Sequence, residues 1–137
     1  MDLMNLKPDL DKSMGMIFGL AIGDALGYPT EFMSADGIKI NYGPEGIQDL
    51  PEPALFSDDT QMSIAIAEAL IRTGEQGIES VMGAVRDEFI KWLHSPENNR
   101  APGKACLTGV GNMEKGVHWS KSGVVRSKGC GSAMRAA

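Results

Sequence analysis

Ser57-Asp58-Asp59-Thr60 places two adjacent carboxylates between two hydroxyls, directly ahead of a mostly apolar stretch running from Gln61 to Leu70. Ser and Asp are strong helix N-caps, and acidic groups gain from the positive end of the helix dipole. The stretch therefore predicts a capped, largely buried helix over about Thr60 to Arg72, closed by Gly74. Capping needs one acidic residue. Two adjacent carboxylates flanked by hydroxyls also form the oxygen-rich donor set that a hard divalent cation takes.

A second helix is expected upstream, from a cap at Asp11 or Ser13 to about Leu26, with Gly27 and Pro29 as stop signals. It is apolar on most sides, and Gly15, Gly19 and Gly23 recur every four residues on one face, where another helix can approach closely. Asp24 is the odd polar residue in it. It serves either as a buried acceptor tying down a neighbouring loop or as support for the ligands of a site. Residues 34 to 56 carry several Gly and Pro residues and little periodicity, which predicts irregular loop with a short strand or turn near Ile38 to Tyr42. A loop that long in a compact domain points to function.

Ile78 to His94 is the clearest amphipathic helix, with Val81, Met82, Val85, Phe89, Trp92 and Leu93 at helical spacing. That stripe reads as core. His94 closes the helix ahead of Pro96 and is assigned no chemistry. A short helix is expected over Ala105 to Glu114, then loop from 116 to 131, then a helix opening at Ala133. Gly129-Cys130-Gly131-Ser132 before that helix suits an anion, because glycine lets backbone N–H groups face a ligand at a helix start.

Composition excludes several classes. A net charge of −5 argues against a general nucleic-acid binder. The longest apolar run, Met14 to Leu26, is short for a membrane span and contains Asp24. Cys106 and Cys130 form no metal-like spacing, and two cysteines make no disulfide framework, so a cytoplasmic, reducing compartment is the expectation. No nucleophile elbow or zinc motif appears.

Taken together, four stretches resemble one family. They are Gly19-x-x-x-Gly23-Asp24-Ala25-Leu26-Gly27 with Glu31, Ser57-Asp58-Asp59-Thr60, Arg100-Ala101-Pro102-Gly103, and Gly129-Cys130-Gly131-Ser132-Ala133-Met134-Arg135. In this order they look like the ADP-ribosylglycohydrolase family, which includes the dinitrogenase-reductase-activating glycohydrolases. The resemblance implies an all-α, orthogonally packed domain over residues 1–137 and a site for two ions, Mg2+ or Mn2+. It implies metal ligands at Ser57, Asp58 and Asp59, and catalytic carboxylates at Glu31 and Asp59, one of which takes a proton from water. It implies substrate contacts at Arg100, Gly103, Ser127, Gly129, Cys130, Gly131 and Ser132.

The implied reaction is metal-dependent hydrolysis of the N- or O-glycosidic bond between ADP-ribose and a modified protein, or a smaller ADP-ribosyl substrate. The alternatives are an ADP-ribose binder without turnover and an inactive fragment. Two departures stand out. The family carries a second acidic motif of the Asp-x-Asp-Thr type in its C-terminal half, whereas Glu114 is the only acidic residue here after Glu97. The expectation is thus a truncated, N-terminal portion. Cys130 stands where many members have Asn, and its thiol is too soft a donor for Mg2+.

Overall fold

The computed structural model describes residues 9–129 and 131–136, and every regular element among them is helical. Five α-helices follow one another: α1 (Leu10–Gly27), α2 (Ala35–Tyr42), α3 (Asp58–Thr73), α4 (Ile78–Leu93) and α5 (Lys104–Glu114). Single 3-10 turns follow at Tyr28–Thr30, Trp119–Lys121 and Ala133–Arg135. The all-helical expectation holds. No helix among the described residues is long and apolar enough to cross a membrane.

The core lies where α3, α4 and α5 meet. Met62, Ala65 and Ala69 of α3 pack on Ala84, Val85, Phe89 and Trp92 of α4 and on Val110 and Met113 of α5. Small residues on α3 let α4 come close while Phe89 and Trp92 fill the volume. The aromatic and methionine stripe of α4 is core, as its periodicity predicts. Polar groups at this interface are paired. Trp92 Nε1 donates to Gln61 Oε1 at 3.0 Å, and the buried Glu88 accepts from Arg72 at 2.7 Å and Lys91 at 2.8 Å. An unpartnered buried charge there would be costly.

Local chemistry accounts for the boundaries. Ser57 caps α3, its hydroxyl accepting from Asp59 N–H. Gly74 ends it at φ 58°, ψ −132°, a conformation that strains any side-chain-bearing residue. Three expectations are corrected. α1 is capped by Asp9, which accepts from Lys12 N–H, rather than by Asp11 or Ser13. The segment near Ile38 to Tyr42 is the helix α2, and the Ser34 hydroxyl caps it by accepting from Gly37 N–H. The Ser34 cap was the legible signal. Weak amphipathicity hid the rest, since α2 buries no residue. Finally, the helix opening at Ala133 is a single 3-10 turn over the described residues.

α1 packs on α3 near its C-terminal end, where Ala25 is its one buried residue. Among the described residues, no helix lies against the glycine face. A Cβ built at Gly15, Gly19 or Gly23 would meet nothing within 4 Å.

Candidate active site

Asp24 decides how the site is assembled. From the last turn of α1 it reaches across to the start of α3 and accepts four hydrogen bonds. Ser57 donates its backbone N–H at 2.9 Å and its hydroxyl at 2.7 Å. Thr60 donates its N–H at 3.1 Å and its hydroxyl at 2.6 Å. Helix starts leave their first N–H groups without intrahelical partners, and here a remote carboxylate takes two such donors. Asp24 is half-buried rather than buried, and it acts as the acceptor that its sequence position suggested, fixing the Ser57-to-Thr60 turn.

The two neighbouring carboxylates diverge. Asp58 is buried. One of its oxygens accepts from Gly103 N–H at 3.1 Å, and its own N–H donates to the Arg100 carbonyl at 3.0 Å. Those bonds lock the start of α3 to the start of α5. Asp59 turns the other way, into an open cavity of about 470 Å³ that it shares with Asp24, Glu31, Ser57, Tyr28 and Met134. Among the described residues no hydrogen bond reaches the carboxylates of Asp59 or Glu31.

Electrostatics single out the same residues. Burial raises the Asp58 carboxyl above its ordinary range, and the Asp24 charge adds to this, while Gly103 N–H and Arg135 oppose it. Burial also raises Asp59, with Asp24 and Asp58 adding and Arg135 opposing. Glu31 rises through burial and then through Asp58, Asp59 and Asp24. Four acidic residues thus crowd one region, opposed chiefly by Arg135.

This crowding has a measurable consequence. Each raised carboxyl keeps its proton to higher pH in the folded than in the unfolded chain, so stability falls as pH rises through that window. In EDTA, the melting midpoint is expected to climb as pH is lowered from neutral towards about 5, just above the ordinary carboxylate range. Asp59→Asn should flatten the slope. An equal slope in the variant would remove this cluster as its source.

The donor set suits a hard divalent cation, which is held by one or two carboxylates plus water when it is Mg2+. Ser57 is informative. Its hydroxyl proton goes to Asp24 and one lone pair to Asp59 N–H, which leaves one lone pair free. No group of three His, Cys, Asp or Glu side chains able to surround an ion occurs among the described residues. An ion at this place would therefore take only part of its coordination shell from the described side chains.

The remaining sequence-predicted residues divide. Gly103 joins the carboxylates through its N–H. The Arg100 guanidinium does not enter the acidic cavity. It stacks 4.9 Å from the Phe56 ring centre and donates to the Phe56 carbonyl and to Glu97. Ser127, Gly129, Gly131 and Ser132 line a second cavity of about 230 Å³, beside Cys106 and Arg135. A Cβ on Gly131 would lie 2.5 Å from the Cys106 sulfur, so a larger residue there would force the Cys106 side chain to shift. Cys130 lies outside the described residues.

Arg135 is the residue that motif reading passed over. Its guanidinium sits 5.3 Å from the Phe89 ring centre, within 3.4 Å of the Met62 and Cys106 sulfurs. The preceding residue, Met134, lines the acidic cavity, so one 3-10 turn walls both spaces. Its position as the single charged residue of the Gly129-to-Arg135 motif was the available signal.

Comparison with known proteins decides the family. The profile of the ADP-ribosylglycohydrolase family matches residues 5–137. The chain belongs to this family. It is 34% identical over 134 residues to an uncharacterized protein of Archaeoglobus fulgidus, covering 93% of this chain and 41% of that protein. It is 34% identical to the ADP-ribosylarginine hydrolase Tri1 of Serratia proteamaculans, covering 66% of this chain and 24% of that protein. It is 32% identical to the ADP-ribosyl-[dinitrogen reductase] glycohydrolase of Rhodospirillum rubrum, covering 73% of this chain and 34% of that protein. The chain thus spans well under half the length of these relatives. No solved structure matches it significantly.

Proposed function

We propose that this chain supplies one wall of the catalytic cleft of an ADP-ribosyl hydrolase, which releases ADP-ribose from a modified protein side chain. The ADP-ribosylarginine hydrolase Tri1 among its relatives makes ADP-ribosylated arginine the first acceptor to test. The observation that carries the reading is the cavity in which Glu31, Asp59 and Ser57 converge beside Asp24. Carboxylates held against their own repulsion are the pattern of a functional site.

Cleaving the bond at the anomeric carbon builds positive charge on the ribose. The carboxylates of Asp59 and Glu31 provide negative charge next to that centre, and a proton-hungry group for the attacking water. Their raised proton affinity suits that task. Glu31 stands in the bend after Tyr28–Thr30, and Asp59 on the rigid first turn of α3. Ser57 and Asp59 would hold Mg2+ or Mn2+ in that cavity, with Asp58 joining them only through the oxygen that Gly103 leaves free, and the ion would orient hydroxyls and water. Ser127, Gly129, Gly131 and Ser132 would take the ligand's anionic portion, with Gly103 beside Asp58.

A second reading, binding of ADP-ribose without turnover, is favoured by the partial donor set. One assay separates the two. An ADP-ribosylarginine peptide is incubated with the chain in Mg2+ or Mn2+, and release of ADP-ribose is followed by mass spectrometry. Release that EDTA stops is the expected result. Saturable ADP-ribose binding with no release would replace the enzyme reading by the binding one. Release unaffected by EDTA would overturn the metal assignment.

A further inference from the structure

We propose that Arg100 is a positioning residue of the candidate site, gripping the chain on both sides of Ser57 and holding a strained turn at Ala101 in place. Its effect on hydrolysis rests on the proposed function, whereas the grip itself is geometry. The guanidinium lies 4.9 Å from the Phe56 ring centre and donates to the Phe56 carbonyl at 3.3 Å. The Arg100 carbonyl accepts the Asp58 N–H at 3.0 Å. Phe56 and Asp58 flank Ser57, which lines the acidic cavity, so one residue fixes the backbone before and after it. A cation over an aromatic ring gains more when desolvated, and the Arg100 side chain is only 22% exposed. The further ion pair with the exposed Glu97 adds little.

The turn behind Arg100 needs such a hold. Ala101 adopts φ 53°, one of two non-glycine residues with positive φ among the described residues. There its Cβ crowds the backbone, and the following Pro102 favours an extended predecessor, so the conformation is unfavourable on two counts. Asp58 bridges the turn. Its N–H reaches the Arg100 carbonyl, and its carboxylate accepts the Gly103 N–H at 3.1 Å. Strained residues persist where their surroundings over-determine them, and they cluster at functional sites. Without the guanidinium the turn is free to relax. The Arg100 carbonyl then leaves the Asp58 N–H, and the first turn of α3, which carries Asp59, loses its tie to the loop before α5.

Direct contact between Arg100 and an anionic ligand fits the geometry less well. Arg100 lines neither the acidic cavity nor the cavity at Gly129 and Gly131. It borders a separate groove with Phe56, Gln61 and Trp92.

The test compares the full chain with Arg100→Ala and with the double variant Arg100→Ala/Ala101→Gly. Glycine takes a positive φ freely, so the second change removes the strain that the guanidinium opposes. Amide exchange read by NMR reports the grip, and ADP-ribose release from an ADP-ribosylarginine peptide in Mg2+ reports its effect on the site. Arg100→Ala is expected to speed exchange at the Asp58 and Gly103 amides about tenfold, while the core amides of Phe89 and Trp92 exchange as in the parent. Release should slow about tenfold through kcat with KM little changed. In the double variant both readouts should return to within about threefold of the parent. Asp58 and Gly103 amides as protected in Arg100→Ala as in the parent would overturn the proposal, and so would an equal loosening of the core. Lost release that glycine fails to restore would overturn it too, and would make Arg100 a substrate contact. A parent chain that releases no ADP-ribose counts against the proposed function alone, because the exchange readout still decides the grip.

Discussion

Asp24→Ala is expected to destabilise the chain by about 3 kcal/mol, and to loosen the site before the rest of the fold. The carboxylate takes four donors, two from Ser57 and two from Thr60. Thr60 is wholly buried and Ser57 nearly so, so alanine strands donors where water does not reach them. Each stranded buried donor costs about 1–3 kcal/mol, and a hydrogen bond to a charged group contributes about 1.5–3 kcal/mol. One effect runs the other way, because Asp24 raises the proton affinity of Glu31, Asp58 and Asp59, and its removal relieves that repulsion. The repulsion acts across a partly solvated region and the bonds are direct, so the bonds win. Thermal melting of the variant should show a midpoint lower by roughly 10 °C. Asp24→Asn recovers little, because its amide N–H groups meet donors rather than acceptors. A fall of less than about 1 kcal/mol, the net contribution of one ordinary hydrogen bond, would mean that α1 does not hold the start of α3 in place.

That cross-link shows what the sequence discloses and what it withholds. The Ser57 cap, the apolar α3 and the core stripe of α4 were legible, because capping and periodicity are local properties written into neighbouring residues. Asp24 announced itself as a lone acid in an apolar helix, but its partners lie 33 and 36 residues away and no local pattern names them. The divergence of Asp58 from Asp59 was hidden for a related reason. Adjacent residues on a helix point about 100° apart, so only one of the pair can face the cavity. Which one does so depends on where Gly103 arrives from α5. Arg100 misled in the opposite sense. It belongs to a recognisable motif, yet its guanidinium serves Phe56 and Glu97 while its carbonyl receives Asp58 N–H. The glycine stripe of α1 reads as a surface for close approach, yet among the described residues nothing packs on it, since a Cβ at Gly15, Gly19 or Gly23 would meet nothing within 4 Å.

Asp59→Asn separates the catalytic reading from a purely architectural one. On the proposed chemistry it lowers the rate of ADP-ribose release by about a hundredfold or more, the range for losing a positioned acid–base group. Architecture predicts the reverse ordering of effects. Asp58 accepts from Gly103, and Asp24 accepts from Ser57 and Thr60, so their removal breaks bonds that hold helices together. The Asp59 carboxylate has no such bond among the described residues, and it carries its charge against burial and two like neighbours. Neutralising it should leave the melting midpoint in EDTA at pH 7 unchanged or slightly raised. In Mg2+ the comparison inverts. A cation that binds only the folded state stabilises it by mass action, so the parent chain gains from added metal and the variant gains less. Activity lost together with metal-dependent stabilisation, while metal-free stability is kept, identifies Asp59 as a group that serves the ligand. A variant that melts early in EDTA would instead make Asp59 part of the scaffold, and a variant that hydrolyses at the parent's rate would remove it from the reaction altogether.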